Sequence, residues 1–325
     1  MHVAIIGAGS WGSALAMTAL EAENRVTLWT RSQLDAEELR QGRIPLLPEA
    51  VLPSEIYCTT VLEDIKTADI CILAVPSPAV REVASSLNGI AREDAIIVSV
   101  SKGLEAGSLK RMSQIIDEEL PKNPVVVLSG PSHAEEVAKK LPTVVVSASH
   151  HRESAEAVQE ALSTACFRIY TNPDVVGVEI SGTVKNVIAL ASGISDGLGF
   201  EDNTKAALMT RGLSEIVRLG TRLGGTKETF LGLAGIGDLI VTCTSMHSRN
   251  RRAGILIGQG RTAEAAVKAV GTVEGYNAAK NVNEIAIELG IELPIICEVY
   301  RIIFEGAPAD EAIYNLMTRP YKSEI

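Results

Sequence analysis

Positive charge is scarce in this sequence. It carries 30 Lys and Arg residues against 40 Asp and Glu, which gives a formal net charge of −10 over 325 residues. Proteins that bind nucleic acids neutralise phosphates with clusters of Lys and Arg. The composition therefore argues against a nucleic-acid partner, although a small anionic ligand needs only a few cations in one pocket.

Cysteine is equally sparse, and nothing in its spacing indicates a metal site. The chain has five cysteines without a CxxC pair, and no histidine stands at metal-ligand spacing: Cys58, Cys71, Cys166, Cys243 and Cys297. The adjacent His150 and His151 are a weak candidate, because neighbouring side chains on an exposed loop rarely share a metal. We expect reduced thiols and no metal.

Long apolar runs and a leader segment are also missing. No uninterrupted apolar run approaches the roughly 20 residues of a membrane span. The first strand is predicted to begin at Val3, which leaves no room for a basic and apolar signal segment. We therefore expect a cytoplasmic protein without a membrane span, and the length predicts two domains.

The first half of the chain alternates short apolar strands with helical stretches. The strands are rich in Val and Ile and lack polar alternation, which is typical of a parallel sheet covered on both faces. The predicted strands are Val3–Ile6, Arg25–Trp29, Ile70–Ala74, Ile96–Val100, Val125–Ser129, Thr143–Ser147 and Arg168–Tyr170. The predicted helices are Trp11–Glu21, Ala79–Leu87, Ser108–Glu119, His133–Lys139 and Arg152–Thr164.

The second half shows helical periodicity and almost no strand-like run. Further helices are predicted around Val184 to Ala191, around Leu208 to Leu219, and over Ala263–Val270, Asn277–Leu289 and Ile295–Phe304. The fold class is therefore α/β, with an N-terminal Rossmann-type doubly wound sheet and a C-terminal all-α domain. We predict a dinucleotide-binding domain over residues 1–180 and a helical substrate-binding and catalytic domain over 181–325.

A glycine-rich turn, Gly7-Ala8-Gly9-Ser10-Trp11-Gly12, follows the first strand and opens a helix. This is the context of the dinucleotide fingerprint. Gly7 permits the tight turn, Gly9 lets the backbone approach the pyrophosphate, and Gly12 allows close packing of helix on strand. A glycine turn without a ligand is the alternative, but its position at the head of an α/β pattern favours an NAD or NADP site.

The end of the second strand bears on the choice of cofactor. NAD binders place Asp or Glu there to hold the ribose hydroxyls, whereas this sequence has Thr30-Arg31-Ser32. Arg31 could face a 2′-phosphate, which favours NADP. It could also stack on adenine and tolerate NAD, or be an ordinary surface arginine.

Three later segments carry a family resemblance. They are Ser129-Gly130-Pro131-Ser132-His133-Ala134, Ser181-Gly182-Thr183-Val184-Lys185-Asn186, and Leu233-Ala234-Gly235-Ile236-Gly237-Asp238-Leu239 running on to Ser248-Arg249-Asn250-Arg251. With the glycine turn in front, the chain resembles the bacterial NAD(P)-dependent glycerol-3-phosphate dehydrogenases over essentially its whole length. One departure is Glu201, where that family often carries Gly.

The resemblance implies reversible reduction of dihydroxyacetone phosphate to sn-glycerol 3-phosphate, which supplies the glycerophospholipid backbone. It implies that Lys185 is the proton acceptor. The residues matching substrate contacts are Lys102, Gly130, Ser132, Lys185, Asp238, Ser248, Arg249 and Asn250. Besides the glycines of the turn, the residues matching cofactor contacts are Ser10, Trp11, Arg31, Lys102, Ala134, Arg249 and Glu274.

The residue types fit this chemistry. Hydride transfer to a ketone builds negative charge on its oxygen, so a proton donor is needed there. Lys185 lies on an otherwise apolar helix, where a lysine without a task or partner would be costly. Nearby cations would lower its pKa, and Lys102, Lys205 and Arg249 are plausible sources. Asp238 would oppose that shift and orient the ammonium or a substrate hydroxyl.

Two glycines and a histidine lie within or beside these motifs. Gly235 and Gly237 suggest a close approach of backbone to ligand, with Asp238 at the pocket edge. His133 is adjacent to the Gly130 turn, and we interpret it as a structural neighbour of the site.

The start of a helix at Ser248 should gather backbone N–H groups, the Arg249 guanidinium and the Asn250 amide on one phosphate. Arg251 and Arg252, which follow them, are expected to face solvent or partners.

Two alternatives stay open at this stage. One is a related two-domain reductase such as a β-hydroxyacid dehydrogenase, which the Ser248-Arg249-Asn250 cluster with Asp238 disfavours. The other is a non-catalytic dinucleotide sensor, which would not need Lys102, Lys185 and Asp238. A homodimer is expected only from the symmetry habit of such enzymes.

Overall fold

The computed structural model describes residues 1–321 and 323. Across these residues, eight strands form one sheet in the order β3-β2-β1-β4-β5-β6-β7-β8. The strands are β1 His2–Ile6, β2 Arg25–Trp29, β3 Tyr57–Thr59, β4 Ile70–Leu73, β5 Ile96–Ser99, β6 Val125–Ser129, β7 Thr143–Ala148 and β8 Phe167–Asn172.

The chain order of the strands places a binding crevice beside β1. The chain runs outward from β1 to β3 and then crosses back to β4, which pairs with the other side of β1. Loops at the carboxyl ends of β1 and β4 therefore diverge, and ligands of doubly wound sheets bind at such a switch point. All residues of β1 and β4 are buried, as their unbroken apolar sequence predicts.

The far edge of the sheet departs from the parallel pattern. β7 runs antiparallel to β6, and β8 pairs parallel with β7. The mostly parallel sheet followed by a helical half confirms the predicted fold class. The short strand β3 escaped the sequence prediction, because three residues form too brief an apolar run to be recognised.

Helices cover both faces of the sheet. They are α1 Ser10–Glu21, α2 Gln33–Arg40, α3 Val80–Leu87, α4 Met112–Glu119, α5 Ala134–Ala138 and α6 Arg152–Leu162. Helix α2 was not predicted, and α4 begins four residues later than expected. Leu109 has a φ of 57°, and a bridge pairs Leu104 with Arg111, so the backbone leading into α4 is not helical.

After β8, the regular elements among the described residues are all helices. The α-helices of this second half are α7 Val175–Gly197, α8 Asp202–Arg222, α9 Lys227–Phe230, α10 Asp238–Thr244, α11 Arg249–Gly258, α12 Ala263–Val270, α13 Glu274–Leu289, α14 Pro294–Tyr300 and α15 Ala309–Met317. Two π-helical turns, Leu233–Gly237 and Arg301–Glu305, precede α10 and follow α14. The predicted domain division near residue 180 falls inside α7 and stays a prediction.

Helix α7 is the centre of this half. It has 23 residues, almost all buried, and α8, α10, α11 and α13 pack around it. Its length and composition would allow a membrane span, contrary to the expectation that no such segment exists. The pair Lys227–Thr244 and Arg249–Gly258 also passes that test as one bent span. However, 94% of the apolar window of α7 is buried inside the protein, so α7 has the burial of a core helix.

Glycines let α11 lie directly against α7. A Cβ on Gly193 would stand 2.1 Å from the Arg251 carbonyl oxygen, and one on Gly254 would stand 2.3 Å from the Leu190 carbonyl oxygen. Gly197 and Gly258 repeat this contact one turn further along. The two helices therefore meet backbone to backbone, and we call this contact the glycine seam.

Candidate active site

A cleft opens between the carboxyl ends of the strands and the helical half. Several of its lining residues were not predicted from the sequence as site residues, among them Thr242, Thr272, His133 and His247. Most of the predicted site residues also line it: Ser10, Trp11, Lys102, Ser132, Ala134, Lys185, Ser248, Arg249, Asn250 and Glu274. The fold thus brings together residues that lie up to 264 positions apart in the chain (Ser10 to Glu274).

Two lysines share one carboxylate at the floor of the cleft. Lys185 Nζ lies 2.5 Å from Asp238 Oδ1, and Lys102 Nζ lies 2.7 Å from Asp238 Oδ2. Lys185 is 5% exposed and Asp238 is 1% exposed. The predicted orienting role of Asp238 therefore has a geometric basis, but its carboxylate is buried beneath the lysines rather than at the edge of the pocket.

The electrostatics of this cluster separate the two lysines. Burial lowers the pKa of Lys185 to about 8; Lys102 lowers it as well, and Asp238 opposes both. Burial alone would also lower the pKa of Lys102, but Asp238 outweighs it and raises that pKa. The pKa of Asp238 is lowered, because the two lysines overcome the effect of its burial. Lys185 is the member of the cluster best suited to exchange a proton near neutral pH.

Thr242 completes the surroundings of the Lys185 ammonium. Lys185 Nζ donates to Thr242 Oγ1 at 2.7 Å, and Thr242 Oγ1 donates to the backbone carbonyl of Asp238 at 2.6 Å. Thr242 was not predicted as a site residue from the sequence. The available signal was its position four residues after Asp238, which places both side chains on one face of a helix.

The loops after β5 and β6 form the sheet side of the cleft. Lys102 follows β5, and its stem passes over Gly182 of α7, where a Cβ would stand 3.4 Å from Lys102 Cγ. Lys102 Nζ lies 3.5 Å from the carbonyl oxygen of Gly130, which also accepts from Ser132 Oγ at 3.0 Å. Gly130 has a φ of 147° and packs against Val145, so the turn after β6 requires a glycine.

The start of α11 forms the opposite wall. Ser248 caps the helix by accepting from Arg251 N at 3.2 Å, and the exposed Arg249 extends along the cleft. Asn250 is engaged inside the protein, since its Nδ2 donates to Asn186 Oδ1 and its Oδ1 accepts from Gly275 N. The Asn250 amide therefore ties α11 to α7 and α13 and presents fewer free donors than the sequence suggested.

Glu274 stands at the first turn of α13. Asn186 Nδ2 donates to its carboxylate at 3.2 Å. Burial raises the pKa of Glu274, and Lys102, Lys185 and Arg249 oppose that effect. Glu274 is thus coupled to the cations of the cleft.

The turn between β1 and α1 fits a dinucleotide pyrophosphate. Gly7 has a φ of 113°, and a Cβ on Gly12 would stand 1.9 Å from the Gly7 carbonyl oxygen, so both glycines are needed for the turn to pack. A Cβ on Gly9 would meet no atom within 4 Å. Gly9 therefore borders open space at the N-terminus of α1, where N–H groups lack partners within the helix.

Arg31 lies apart from the cleft, exposed after β2. Its neighbour Thr30 accepts from Ser32 N at 3.3 Å, and Ser32 caps α2 by accepting from Asp35 N. No carboxylate stands at positions 30 to 32, the end of β2 where one would hold ribose hydroxyls.

Three further expectations were wrong. Lys205 and Arg251 both pair with Asp196, at 2.9 and 2.8 Å, so Lys205 is not one of the cations acting on Lys185 and Arg251 does not face solvent. A Cβ on Gly235 would stand 2.0 Å from the Phe230 carbonyl oxygen, so Gly235 permits the π-helical turn before α10 rather than the approach of a ligand.

Among the described residues, no group of three His, Cys, Asp or Glu side chains could hold a metal ion.

Comparison with known proteins identifies the family to which this chain belongs. Residues 2–155 match the family model for the N-terminus of NAD-dependent glycerol-3-phosphate dehydrogenase, and residues 174–314 match the model for its C-terminus. The chain belongs to the NAD-dependent glycerol-3-phosphate dehydrogenase family. This confirms the resemblance seen in the sequence.

Members of this glycerol-3-phosphate dehydrogenase family resemble the chain over its full length. A protein named glycerol-3-phosphate dehydrogenase [NAD(P)+] from a Thermoanaerobacter species is 52% identical over 330 residues, covering 100% of this chain and 99% of its own. One of the same name from Clostridium tetani is 50% identical over 327 residues, covering 99% and 93%. The crystal structure of glycerol-3-phosphate dehydrogenase from Coxiella burnetii has a TM-score of 0.94 at 38% identity, covering 98% and 99%.

Proposed function

We propose that this protein catalyses the reversible, NAD(P)-dependent reduction of dihydroxyacetone phosphate to sn-glycerol 3-phosphate. The observation that carries the proposal is the buried Lys102–Asp238–Lys185 cluster at the floor of a cleft beside the glycine turn. The full-length relatives are named for this activity and for use of NAD(P)+. The product would supply the backbone of glycerophospholipids.

Lys185 is assigned as the catalytic acid and base. Bound NAD(P)H supplies the hydride, and the ketone oxygen gains negative charge as it is reduced. The Lys185 ammonium then gives a proton to that oxygen, and its neutral amine takes one from the alcohol in the reverse direction. A pKa near 8 keeps both forms accessible, so one group serves both directions.

Lys102 and Asp238 are assigned to hold the reacting end of the substrate. Lys102 is one-fifth exposed at its side chain and faces the cleft, so its ammonium can also donate to the substrate oxygen. Asp238 holds both ammonium groups in place and keeps the cluster near a single positive charge. Gly130 and Ser132 form the turn beside Lys102 and are assigned to substrate binding with it.

The start of α11 is assigned to the substrate phosphate. Ser248 and Arg249 lie at the N-terminus of the helix, where unpaired N–H groups and the helix dipole favour an anion. The Arg249 guanidinium can add a charge-assisted pair of hydrogen bonds. Asn250 holds this turn against α7 and is assigned to substrate binding through that position.

The cofactor is assigned to the crevice at the switch point. Gly7, Gly9 and Gly12 would hold the pyrophosphate, with Ser10, Trp11 and Ala134 along its path to the cleft. Glu274, Lys102 and Arg249 would face its nicotinamide end. We propose that NADP is preferred over NAD, because Arg31 is exposed where a 2′-phosphate would lie and no carboxylate stands nearby.

We further propose that residues 1–180 bind the dinucleotide and that residues 181–325 supply the catalytic and substrate-binding groups.

We propose a cytoplasmic homodimer that has no nucleic-acid partner. The assignment to a reducing compartment is supported by five free cysteines, of which Cys58, Cys71 and Cys243 are buried. Sedimentation of the purified chain tests the dimer.

A rate comparison tests the reaction and the cofactor together. Oxidation of NADPH and NADH is followed at a single wavelength with dihydroxyacetone phosphate, with unphosphorylated dihydroxyacetone, and with a 2-keto acid. We expect turnover with the phosphate ester alone and faster turnover with NADPH. Robust turnover of an unphosphorylated substrate would overturn the proposal, and an Arg31→Ala variant with unchanged preference would overturn the role of Arg31.

A further inference from the structure

The fixed charges of the cleft balance one another. The charged side chains that line it or bond into it are three cations and three carboxylates, namely Lys102, Lys185, Arg249, Asp238, Glu135 and Glu274. A phosphate ester carries a charge of about −1.5 to −2 near pH 7. On the proposed function, the substrate therefore brings negative charge that the fixed groups do not neutralise.

Two histidines face each other in this cleft. His133 immediately precedes α5 on the sheet side, and His247 lies just before α11 on the helical side. Their ring centroids are 5.6 Å apart, with planes inclined at 51°. Among the described residues that line the cleft, these are the side chains whose type changes charge between pH 5 and 8 when unperturbed.

His133 also holds an unused hydrogen-bonding atom. Its Nε2 is buried and has no hydrogen-bond partner. A buried polar nitrogen that stays unpaired is costly, and such atoms in native proteins call for an explanation such as a ligand. An anion bound beside the two rings, in the cleft that both residues line, could accept a hydrogen bond from a protonated His133 ring.

We propose that His133 and His247 form a proton-linked anion subsite, which we call the histidine pair, that binds the substrate phosphate together with Arg249. Burial, Lys185 and His247 lower the pKa of His133, and Glu135 and Glu136 oppose them. The ring is therefore neutral near pH 7 before the substrate arrives. The negative charge of a bound phosphate raises the pKa of His133 and favours its protonated ring, which has two N–H donors.

Charged groups reach the pair from every neighbouring element. Lys102 follows β5, and Glu49 lies in the loop after α2. The charge of His247 is one of the causes that lower the pKa of Glu49. The others are Glu135 and Glu136 of α5, Lys185 of α7, Asp238 of α10, Arg249 of α11 and Glu274 of α13. Lys185 also titrates near pH 8, so a test must separate its effect from that of the pair.

Sulfate is a suitable probe, because it stays a dianion throughout the working pH range and cannot react. Binding of sulfate to the enzyme with oxidised cofactor is measured by calorimetry at pH 6.5, 7.5 and 8.5, in two buffers of different ionisation enthalpy. The variants are His133→Gln, His247→Gln and the double variant, and His150→Gln is the matched control on a distant exposed loop. Thermal unfolding of each variant checks its fold.

We expect wild-type protein and the His150→Gln control to take up a proton with sulfate and to bind it about tenfold more tightly at pH 6.5 than at 8.5. That ratio corresponds to about 1.4 kcal/mol. In the double variant the proton uptake at pH 6.5 should disappear, and any uptake that remains should be confined to the range around pH 8, where Lys185 titrates. The KM for dihydroxyacetone phosphate should rise in the variants at pH 6.5, with the KM for NADPH unchanged.

Two outcomes would overturn the proposal. One is wild-type proton uptake in the double variant. The other is a loss of sulfate affinity that is equal at pH 6.5 and 8.5, as a purely structural role would give. Because sulfate binding is measured without turnover, this result is independent of whether dihydroxyacetone phosphate is the substrate.

Discussion

Replacing Lys185 with methionine separates the catalytic value of the buried ammonium from its energetic cost. Methionine is unbranched and uncharged, and Asp238 keeps Lys102 as an ion partner at 2.7 Å. Burial holds the pKa of Lys185 at about 8 instead of 10.5. At about 1.36 kcal/mol per pKa unit, the protonated side chain costs the folded state about 3 kcal/mol.

We therefore expect Lys185→Met to be more stable than the wild type at pH 7, by up to about 3 kcal/mol, while kcat falls by a factor of about 10² to 10⁴. The stability difference should shrink as the pH rises from about 8 towards 10.5. In that window the unfolded chain still binds the proton that folded Lys185 has lost, so wild-type stability rises with pH.

Urea unfolding at pH 7, 8, 9 and 10 measures the difference, with Lys280→Met as the control. Lys280 is exposed on α13, and we expect its replacement to change stability by no more than about 0.5 kcal/mol. If Lys185→Met proves less stable than the wild type at pH 7 by more than about 1 kcal/mol, the cluster is a stabilising ion network. The reasoning from desolvation would then be wrong.

Three other predictions concern the pH dependence of turnover, the glycine turn and Glu215. For oxidation of glycerol 3-phosphate, kcat/KM should rise with pH and level off above about 8, because Lys185 must be neutral to accept a proton; a flat profile down to pH 6 would contradict this. Gly9→Ala should fold normally and weaken NADPH binding at least about tenfold, as followed by Trp11 fluorescence, whereas Gly12→Ala should lower the unfolding temperature because its Cβ meets the Gly7 carbonyl oxygen; equal stability of the two would refute the packing argument. Burial raises the pKa of Glu215 from 4.5 to about 7, so its protonated form stabilises the fold below pH 4.5 and that contribution is lost as the pH rises through 7; Glu215→Gln should flatten the urea midpoint across this range, and an unchanged slope would exclude the effect.

Much of the fold could be predicted because its signals are local. The apolar runs Val3–Ile6 of β1 and Ile70–Leu73 of β4 specify strands buried on both faces, and the glycine turn specifies where the first helix begins. The late start of α4 could not be predicted, since its sequence is helical in character. A positive φ at Leu109 and a backbone bridge decide it, and both depend on the folded surroundings.

The chemistry of the site was predictable in its residue types but not in its partners. Lys185 was singled out because a lysine on an apolar helix needs a reason to be there. That Asp238 would bridge it to Lys102 depends on a contact between residues 136 positions apart. Lys205 was assigned to the same cluster by its charge alone, and it pairs instead with Asp196, because charge carries no information about distance.

The glycine seam has a consequence for substrate choice. Because α7 and α11 touch through their main chains, no change of rotamer in the seam can alter the spacing between the two backbones that carry Lys185 and Arg249. The seam thus fixes the distance between the helix that carries the proton donor and the helix start that is proposed to bind the phosphate. On the proposed function, this distance suits a three-carbon phosphate ester. We expect longer sugar phosphates to bind poorly because their carbonyl and phosphate groups lie too far apart.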